Sequence, residues 1–294
     1  MEISENILRN IQWFPGHMAQ TRRVIKRSLS EVDCVAEILD ARIPESSRNP
    51  EMRRMIGKKA RIFVLNRADL ADENITAKWI EYYKNKGIAA VACNSKSGKG
   101  IKNFENVLKT DVLRDLISQR AEKGMVGSAV RIMVAGIPNV GKSSFINKIA
   151  GSKKAKVENR PGVTRQKQWI RLDGGIELMD LPGILWPKFD DQTVAVKLAF
   201  TGAINEDIID NEGLAMMLLE TLKNNFPKSF ERYKFVPQAD MTGLELLEEC
   251  ARKRGMLLKG GIPDTERASK AVLDDFRSGS LGRISLENPQ EFKR

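Results

Sequence analysis

The sequence predicts an α/β fold in which a mostly parallel sheet is covered by helices on both faces. Short apolar runs recur between residues 34 and 179, and each run ends in a polar or glycine-rich turn. Segments of helical length separate these runs, which is typical of a parallel sheet that binds ligands at the carboxyl ends of its strands. The runs are Cys34 to Leu39, Ile62 to Leu65, Ile88 to Cys93, Val130 to Ala135 and Ile176 to Met179.

A small all-helical domain is predicted after about Asp191, where strand-like runs nearly vanish and helical spacing dominates. Helices are expected over Glu212 to Lys223, Gly243 to Arg254 and Thr265 to Ser278. The chain therefore divides into an α/β domain over 1–190, which includes an N-terminal segment over 1–30, and a helical domain over 191–283. We expect residues 284–294 to form a loose tail.

Composition restricts the partners and the compartment. The 294 residues are 41% hydrophobic, enough for a packed core, and the net charge is +11. This charge favours an anionic partner, most often a nucleic acid, although a basic surface that only keeps the protein soluble is the alternative. Three widely spaced cysteines without a CxxC pair indicate a reducing compartment and argue against a disulfide framework or structural zinc.

Membrane and secretory classes are also disfavoured. No run of about 18 apolar residues occurs, so we expect no membrane span. The N-terminus carries acidic residues where a secretory or transit peptide would carry basic ones. We therefore expect a cytoplasmic protein without a membrane partner, and we expect it to be a monomer.

A phosphate-binding loop is predicted between the apolar run that ends at Ala135 and a helix that continues from Ser144. Residues 136–143 match GxxxxGKS, in which glycines let successive N–H groups wrap around a phosphate at a helix N-terminus. Lys142 would reach the β- and γ-phosphates, and the Ser143 hydroxyl would ligate Mg²⁺. A glycine turn without a ligand is the alternative, which the strand before and the helix after disfavour. The candidate nucleotide contacts here are Asn139, Val140, Gly141, Lys142, Ser143 and Ser144.

A guanine-reading motif, Asn66-Arg67-Ala68-Asp69, follows the apolar run that ends at Leu65. The Asp69 carboxylate can accept hydrogens from guanine N1 and from the exocyclic amine, whereas adenine presents an acceptor there and is rejected. Asn66 can tie this loop to the phosphate loop. Arg67 stands where Lys is usual, and its apolar stem and planar head can stack on a base at least as well. A plain Asn/Asp turn is the alternative.

Further positions complete the predicted site. Asn94 and Ser95 follow the next apolar run, and backbone N–H groups there could contact the guanine carbonyl oxygen, although a plain turn is the alternative. Asp180-Leu181-Pro182-Gly183 fits DxxG, in which Asp180 would hold Mg²⁺ through water and the Gly183 N–H would sense the γ-phosphate. Thr164, between the phosphate loop and DxxG, is the candidate second hydroxyl ligand for Mg²⁺.

The order of these motifs is reversed, because in an ordinary guanine-nucleotide switch the phosphate loop precedes the guanine-reading motif. Two further segments are Trp13-Phe14-Pro15-Gly16-His17-Met18 near the start and Asp40-Ala41-Arg42-Ile43-Pro44 after the first predicted strand. With these segments and the reversed motif order, the chain resembles the circularly permuted GTPases, most closely the ribosome biogenesis GTPase A family. The resemblance spans nearly the whole chain. It implies a circularly permuted P-loop GTPase domain followed by a helical domain that contacts rRNA. It also implies that GTP hydrolysis, stimulated by the particle, serves late assembly of the large (50S) ribosomal subunit.

Catalysis is expected to use a group from outside the usual position. Many GTPases orient the attacking water with a Gln after DxxG, but Ile184 stands there and cannot do so. The resemblance indicates His17 as the catalytic or water-orienting group, with a solvated histidine or an RNA or partner contact as alternatives. Asn139 corresponds to the position where similar potassium-dependent GTPases ligate K⁺ beside the phosphates. An Asn that only closes the loop is the alternative.

Two other functions are compatible with these residues. One is an RNA-binding GTPase that acts in another process, such as a checkpoint or a tRNA-related factor. The other is an RNA-binding protein in which GTP is only structural. The missing Gln slightly favours the structural use of GTP, whereas Lys142, Ser143, Thr164 and the DxxG motif favour turnover.

Overall fold

The computed structural model describes residues 23, 25–125, 129–151, 168–172, 175–181, 183, 185, 191–205 and 209–292. The predicted site residues His17 and Thr164 lie outside these ranges, as do Pro182 and Ile184. The described residues form two compact units. We call residues 23–185 together with 285–292 the sheet domain, and residues 191–284 the helical domain.

A six-stranded sheet forms the centre of the sheet domain. The strands are β1 (Cys34–Asp40), β2 (Ala60–Asn66), β3 (Ala89–Ala92), β4 (Val130–Gly136), β5 (Gln168–Leu172) and β6 (Ile176–Asp180). Their spatial order is β3-β2-β1-β4-β6-β5, and every neighbouring pair is parallel except β5 with β6. The predicted fold class, an α/β fold with a mostly parallel sheet, is confirmed.

Strand β5 is a strand that the apolar runs do not predict. It lies at the edge of the sheet and pairs antiparallel with β6, with Trp169 opposite Met179. Polar residues interrupt its five positions, and the exposed Arg171 forms an ion pair with Glu177 at 3.1 Å. An edge strand has a neighbour on one side only, so it needs no continuous apolar run.

Helices cover the sheet on both faces. They are α1 (Pro50–Ile56), α2 (Glu73–Asn85), α3 (Ile101–Val107), α4 (Arg114–Glu122) and α5 (Lys142–Ala150), with a π-helical turn at Leu108–Val112 and a 3₁₀ turn at Pro289–Phe292. From β1 the chain steps through α1 and α2 to β3, and it then returns to the other side of β1 for β4. Right-handed crossovers in opposite directions place α1 and α2 on one face and α3 to α5 on the other. The change of direction falls between β1 and β4, where open α/β sheets bind ligands.

Apolar side chains bury the sheet between these helices. All seven residues of β1 are buried. On one face Phe63 packs against Trp79 and Tyr83 of α2, whose rings stack at 5.4 Å. On the other face Phe104 of α3 meets Phe145 of α5 edge to face at 5.0 Å. Burial on both faces fixes the strand ends, and the loops that follow them are held in place.

The C-terminal residues are packed, so the expectation of a loose tail over 284–294 is wrong for the described part. Residues 285–292 lie against the sheet domain, where the Phe292 ring is 5.5 Å from Trp79. The Glu287 side chain is 1% exposed. A polar sequence near a terminus looks loose because its partners, here backbone donors of a distant turn, leave no local pattern.

The helical domain contains α6 (Gln192–Phe200), α7 (Asn211–Asn225), α8 (Gly243–Lys253) and α9 (Thr265–Ser278), with a 3₁₀ helix at Pro227–Tyr233. The last three α-helices coincide with the three predicted from spacing. A capping box between Thr242 and Glu245 begins α8, and Leu246 and Leu247 bury its apolar face. Within the described ranges, no helix has the length and apolar character that crossing a membrane requires.

Ion pairs hold the basic residues at the end of α8. Arg254 Nη1 lies 2.6 Å from Asp275 Oδ2, and Asp275 is buried. Arg252 pairs with Glu248 at 2.8 Å, but both side chains remain partly exposed, as Lys253 does. Exposed pairs of this kind contribute little, so Arg252 and Lys253 stay accessible to an anionic partner while Arg254 has a structural role.

Glu37, in the middle of β1, should make stability depend on pH. Burial raises the pKa of its carboxyl from 4.5 to about 7, against the opposing effect of Arg48. The folded chain keeps this proton at pH values where the unfolded chain has lost it, so folding becomes less favourable as pH rises from 4.5 to about 7. The free energy of unfolding of Glu37→Gln, measured by urea unfolding, should therefore gain up to about 3 kcal/mol relative to the wild type as pH rises from 4.5 to about 7. Glu81→Gln, at an exposed position on α2, is the control. If the difference in free energy of unfolding between Glu37→Gln and the wild type did not change with pH, the raised pKa of Glu37 would be contradicted.

Candidate guanine-nucleotide site

The phosphate loop joins β4 to α5 at the carboxyl edge of the sheet. Strand β4 ends at Gly136, and α5 begins at Lys142 with Gly141 as its N-cap. The loop turns through two left-handed residues, Asn139 at φ 56° and Gly141 at φ 90°. This conformation leaves Lys142 and Ser143 in the first turn of the helix, where N–H groups have no intrahelical acceptor. The loop therefore has the geometry that binds phosphate.

A buried ion pair connects the phosphate loop to the DxxG motif. Lys142 Nζ lies 3.1 Å from Asp180 Oδ1, and the two side chains are 7% and 5% exposed. The parallel pairing of β4 with β6, which sets Val134 beside Asp180, creates this contact. The pair brings an ammonium group and a carboxylate together beside the phosphate loop, where a phosphate and a metal ion could each take one of them as a partner.

Gly183 lies directly on the phosphate loop. A Cβ atom added to it would meet the Cα and N atoms of Pro138 at 3.0 Å, which is tighter than ordinary contact with backbone. A side chain at this position would push the two loops apart. The DxxG glycine is therefore within reach of groups bound in the phosphate loop, as its predicted sensing role requires.

Asn66, the last residue of β2, ties three loops together. Its Nδ2 donates to the carbonyl oxygen of Val140 at 2.9 Å. Its Oδ1 accepts from the Ser95 hydroxyl at 2.6 Å and from the Ser95 N–H at 3.2 Å. A Cβ atom at Gly141 would lie 2.3 Å from Asn66 Nδ2, so glycine is needed beside the amide. The guanine-reading loop is thus joined to the phosphate loop, as the sequence analysis expected of Asn66.

Arg67 lies between the phosphate loop and β1. It has a left-handed backbone at φ 57°, and its Nη2 donates to the Asn139 carbonyl oxygen at 2.6 Å. Its Nη1 is 3.9 Å from Asp40 Oδ2. The sequence predicts that Arg67 stacks on the base, and in the structure its guanidinium also links the two ends of the candidate site. The stem of the side chain remains the part that could cover a base.

Asp40 and Arg42 are supporting residues whose role the sequence analysis missed. Arg42 donates to Asp40 through Nε at 2.9 Å and through Nη2 at 2.7 Å, and both side chains are buried. Burial alone would raise the pKa of Asp40, but the adjacent Arg42 guanidinium outweighs it and holds the pKa below its usual range. Asp40 therefore stays ionised beside Arg67. The only sequence signal for this pair is the segment Asp40–Pro44 after a strand, which carries the family resemblance but gives no role to either side chain.

The segment at residues 94–97 forms a self-supporting turn. The Asn94 side chain accepts from the N–H groups of Lys96 and Ser97 at 2.9 and 3.0 Å. The Asn94 N–H donates to Lys99, and the Ser95 N–H donates to Asn66. The segment is therefore a turn that holds Asn66, and its contact with the guanine carbonyl oxygen stays a prediction. Ala68 adds a further link, because its N–H donates to the Cys93 carbonyl oxygen at 3.1 Å.

The described part of the predicted site is brought to one edge of the sheet. Asn66 ends β2 and residues 67–69 follow it, residues 94 and 95 follow β3, residues 137–144 follow β4, and Asp180 ends β6. Asp69 is half-buried at this edge. The oxygens of Ser143 and Asp180 are the hard ligands that Mg²⁺ prefers. Among the described residues, no group of three or more His, Cys, Asp or Glu forms a metal site without a nucleotide's help.

Comparison with known proteins agrees with this geometry. A protein-family model described as "50S ribosome-binding GTPase" matches residues 131–228, which include the phosphate loop and DxxG. Ribosome biogenesis GTPase A of Bacillus cereus is 42% identical over 285 residues, covering 96% of this chain and 95% of that protein. The protein of the same name from Thermotoga maritima is 31% identical over 281 residues, covering 96% and 95%.

Two solved structures are also similar. One is described as the GDP-bound structure of TM YlqF, with a TM-score of 0.65, 29% identity, and coverage of 91% of this chain and 99% of that chain. The other is GNP-bound YlqF from T. maritima, with a TM-score of 0.63, 28% identity, and coverage of 92% and 99%. The likeness therefore extends over both domains of the chain.

Gly141→Ala should weaken binding of GDP by more than about tenfold, because the new Cβ would displace the Asn66 amide from the phosphate loop. Gly151→Ala is the matched control. It also has a left-handed backbone, at φ 62°, but its Cβ would meet open space. Both changes impose backbone strain of about 1–2 kcal/mol, and Gly141→Ala adds the clash with Asn66 inside the phosphate loop. Titration with a fluorescent GDP measures the affinity of each variant. Equal affinities of Gly141→Ala and Gly151→Ala for GDP would show that the Asn66 contact does not support the site.

Proposed function

The chain belongs to the ribosome biogenesis GTPase A family, and from this premise we propose that its GTP-bound form binds precursors of the large ribosomal subunit and that hydrolysis releases it. It is a GTPase that acts in ribosome biogenesis. The observation that most strongly supports the nucleotide-binding part of this function is the Asn66 amide, which joins the guanine-reading loop to the phosphate loop. A chance pair of motifs would not share one hydrogen-bonded side chain.

Nucleotide binding would use the two ends of the site separately. Lys142 and the N–H groups from Val140 to Ser144 would hold the phosphates at the start of α5. Asp69 would accept the two guanine hydrogens, with Arg67 beside the base. The 3.1 Å contact with Asp180 supports the role of Lys142, because the ammonium group need only turn from a carboxylate to a phosphate.

A magnesium ion would be held by Ser143 and Thr164, with Asp180 acting through water. These oxygen groups fit the chemistry of Mg²⁺, and Asp180 is buried beside the first turn of α5. When bound, the ion would neutralise charge that develops on the phosphates. Ser143 and Asp180 would orient the nucleotide, and Gly183 would report the γ-phosphate through its contact with Pro138.

Asn139 would ligate a potassium ion with its side-chain oxygen. Its left-handed backbone at φ 56° and its carbonyl bond to Arg67 fix its place at the turn of the phosphate loop. A monovalent cation here would supply the charge that an arginine finger supplies in other GTPases. Equal turnover in NaCl and KCl at fixed ionic strength would remove this role.

The helical domain would contact rRNA, and the protein would act as a cytoplasmic monomer. The net charge of +11 supports an anionic partner. Arg252 and Lys253 are the accessible basic residues at the end of α8, because their pairs with Glu248 and Glu249 lie at the surface. Action on another RNA is the second candidate function, and the experiment below distinguishes it from the first.

Sedimentation with purified ribosomal particles tests the proposal. The chain should comigrate with large-subunit precursors in a sucrose gradient when loaded with a non-hydrolysable GTP analogue and should stay at the top with GDP. The same particles should raise the GTPase rate, because they complete a site that lacks the usual Gln. Stimulation by another RNA alone would favour the second candidate. No stimulation by any particle would favour a structural use of GTP.

His17→Ala should lower particle-stimulated turnover by at least about tenfold and leave GTP affinity nearly intact, because imidazole would orient the water that Ile184 cannot. His17 lies outside the described residues, so this role depends on the resemblance and on the missing Gln. Single-turnover hydrolysis with and without particles separates chemistry from binding. Unchanged stimulated turnover would exclude His17 from catalysis.

A further inference from the structure

The C-terminal segment Ser285–Phe292, here called the strap, bonds to the turn that follows β1. The Leu286 N–H donates to the Arg42 carbonyl oxygen at 2.9 Å. The Glu287 carboxylate accepts from the Glu45 N–H at 2.8 Å, from the Ser46 N–H at 3.2 Å and from the Ser46 hydroxyl. A buried carboxylate is costly unless donors surround it, so these bonds fix both the strap and the turn.

The strap also bonds to the start and the outer face of α2. The Asp72 N–H donates to Ser285 Oγ at 3.1 Å, and Asp72 is the N-cap of α2. Trp79 Nε1 donates to the Glu287 carbonyl oxygen at 3.2 Å, and the Tyr82 hydroxyl donates to the Phe292 carbonyl oxygen at 3.0 Å. The strap thus bonds both to the turn after β1 and to the start of α2. We call residues 66–69, the guanine-reading motif, the base-reading loop.

Arg42 and Asp72, two of the residues that the strap contacts, are each close to the residues predicted to read the base, Arg67 and Asp69. On one side, Arg42 forms the bidentate pair with Asp40, and Asp40 is 3.9 Å from Arg67. On the other side, Asp72 stands three residues after Asp69 in the same loop. The strap is therefore connected to Arg67 through Arg42 and Asp40, and to Asp69 through Asp72.

The backbone of Arg67 explains why such support is needed. A non-glycine residue at φ 57° is strained by about 1–3 kcal/mol and persists only where its surroundings fix it. The bond from Arg67 to the Asn139 carbonyl oxygen secures one end of its side chain. The Asp40 carboxylate secures the other, and Asp40 is oriented by Arg42, whose own carbonyl bonds the strap.

We propose that the strap is a positioning element of the guanine site, with Glu287 as its anchor, and that it sets how firmly Asp69 and Arg67 hold the base. This inference rests on the proposed guanine site. In the chain the strap follows directly after the helical domain, so the helical domain is covalently connected to the base-reading end of the site. Its other connection follows the DxxG motif at Gly183, the γ-phosphate end.

Glu287→Gln in the full chain tests the proposal, and Glu291→Gln is the matched control, because it makes the same chemical change at an exposed position of the strap. Affinities for GDP and IDP are measured by displacement of a fluorescent GDP. Inosine lacks the exocyclic amine, so the ratio of the two affinities reports the bond to Asp69. Glu287→Gln should lower GDP affinity about tenfold, the loss of one bond to a charged group, and should lower the GDP/IDP ratio at least about threefold. Glu291→Gln should change neither.

The outcomes separate the strap from the site itself. A wild-type chain that binds GDP and IDP equally would overturn the proposed guanine site. A wild-type preference for GDP that survives in Glu287→Gln would overturn the strap proposal. An equal loss for both nucleotides would also overturn it, because a merely structural tail would act in that way. If Glu287→Gln does not fold, Ser285→Ala removes only the bond to Asp72, and the same fall in the GDP/IDP ratio is then required.

Discussion

The carboxamide of Asn66 donates to Val140, 74 residues further along the chain, and accepts from Ser95, 29 residues further along. It therefore connects three loops that are distant in the sequence. An amide is suited to this position, since it offers a donor and an acceptor at once. Asn66 is 1% exposed, so its three side-chain bonds are made where water cannot replace them. In the proposed site, this contact and the sheet beneath it would set the distance between the base and the phosphates of a nucleotide.

The sheet explains why reversal of the motif order leaves the site intact. Parallel strands deliver their following loops to one edge, whatever their order along the chain. Strand β1 lies between β2, which carries the base-reading loop, and β4, which carries the phosphate loop. The short segment after β1 therefore lies between the two ends of the site, and Asp40 occupies this place. In the reconnected chain, the C-terminal strap bonds to the turn that follows β1 and to the start of α2.

Much of the fold and the core of the site could be predicted because they depend on local patterns. Continuous apolar runs mark buried parallel strands, and glycine with lysine before a helix marks a phosphate loop. What could not be predicted depends on pairs that are distant in the chain. The Asp40 carboxylate needs Arg67 and Arg42, and Glu287 needs a turn more than 240 residues away. Strand β5 was missed for a related reason, since its pairing partner, not its own composition, makes it a strand.

The central claim is that loops from reversed segments form one guanine site in which Asp69 reads the base. Asp69→Asn tests it most directly, because an amide would donate to the C2 carbonyl of xanthine where the carboxylate accepts from the amine of guanine. The affinities of the wild type and of Asp69→Asn for GDP and XDP should be measured by displacement of a fluorescent nucleotide. We predict that the wild type prefers GDP and that Asp69→Asn prefers XDP, with the preference changing by at least about a hundredfold. An Asp69→Asn variant that retains the wild-type preference for GDP would contradict the claim.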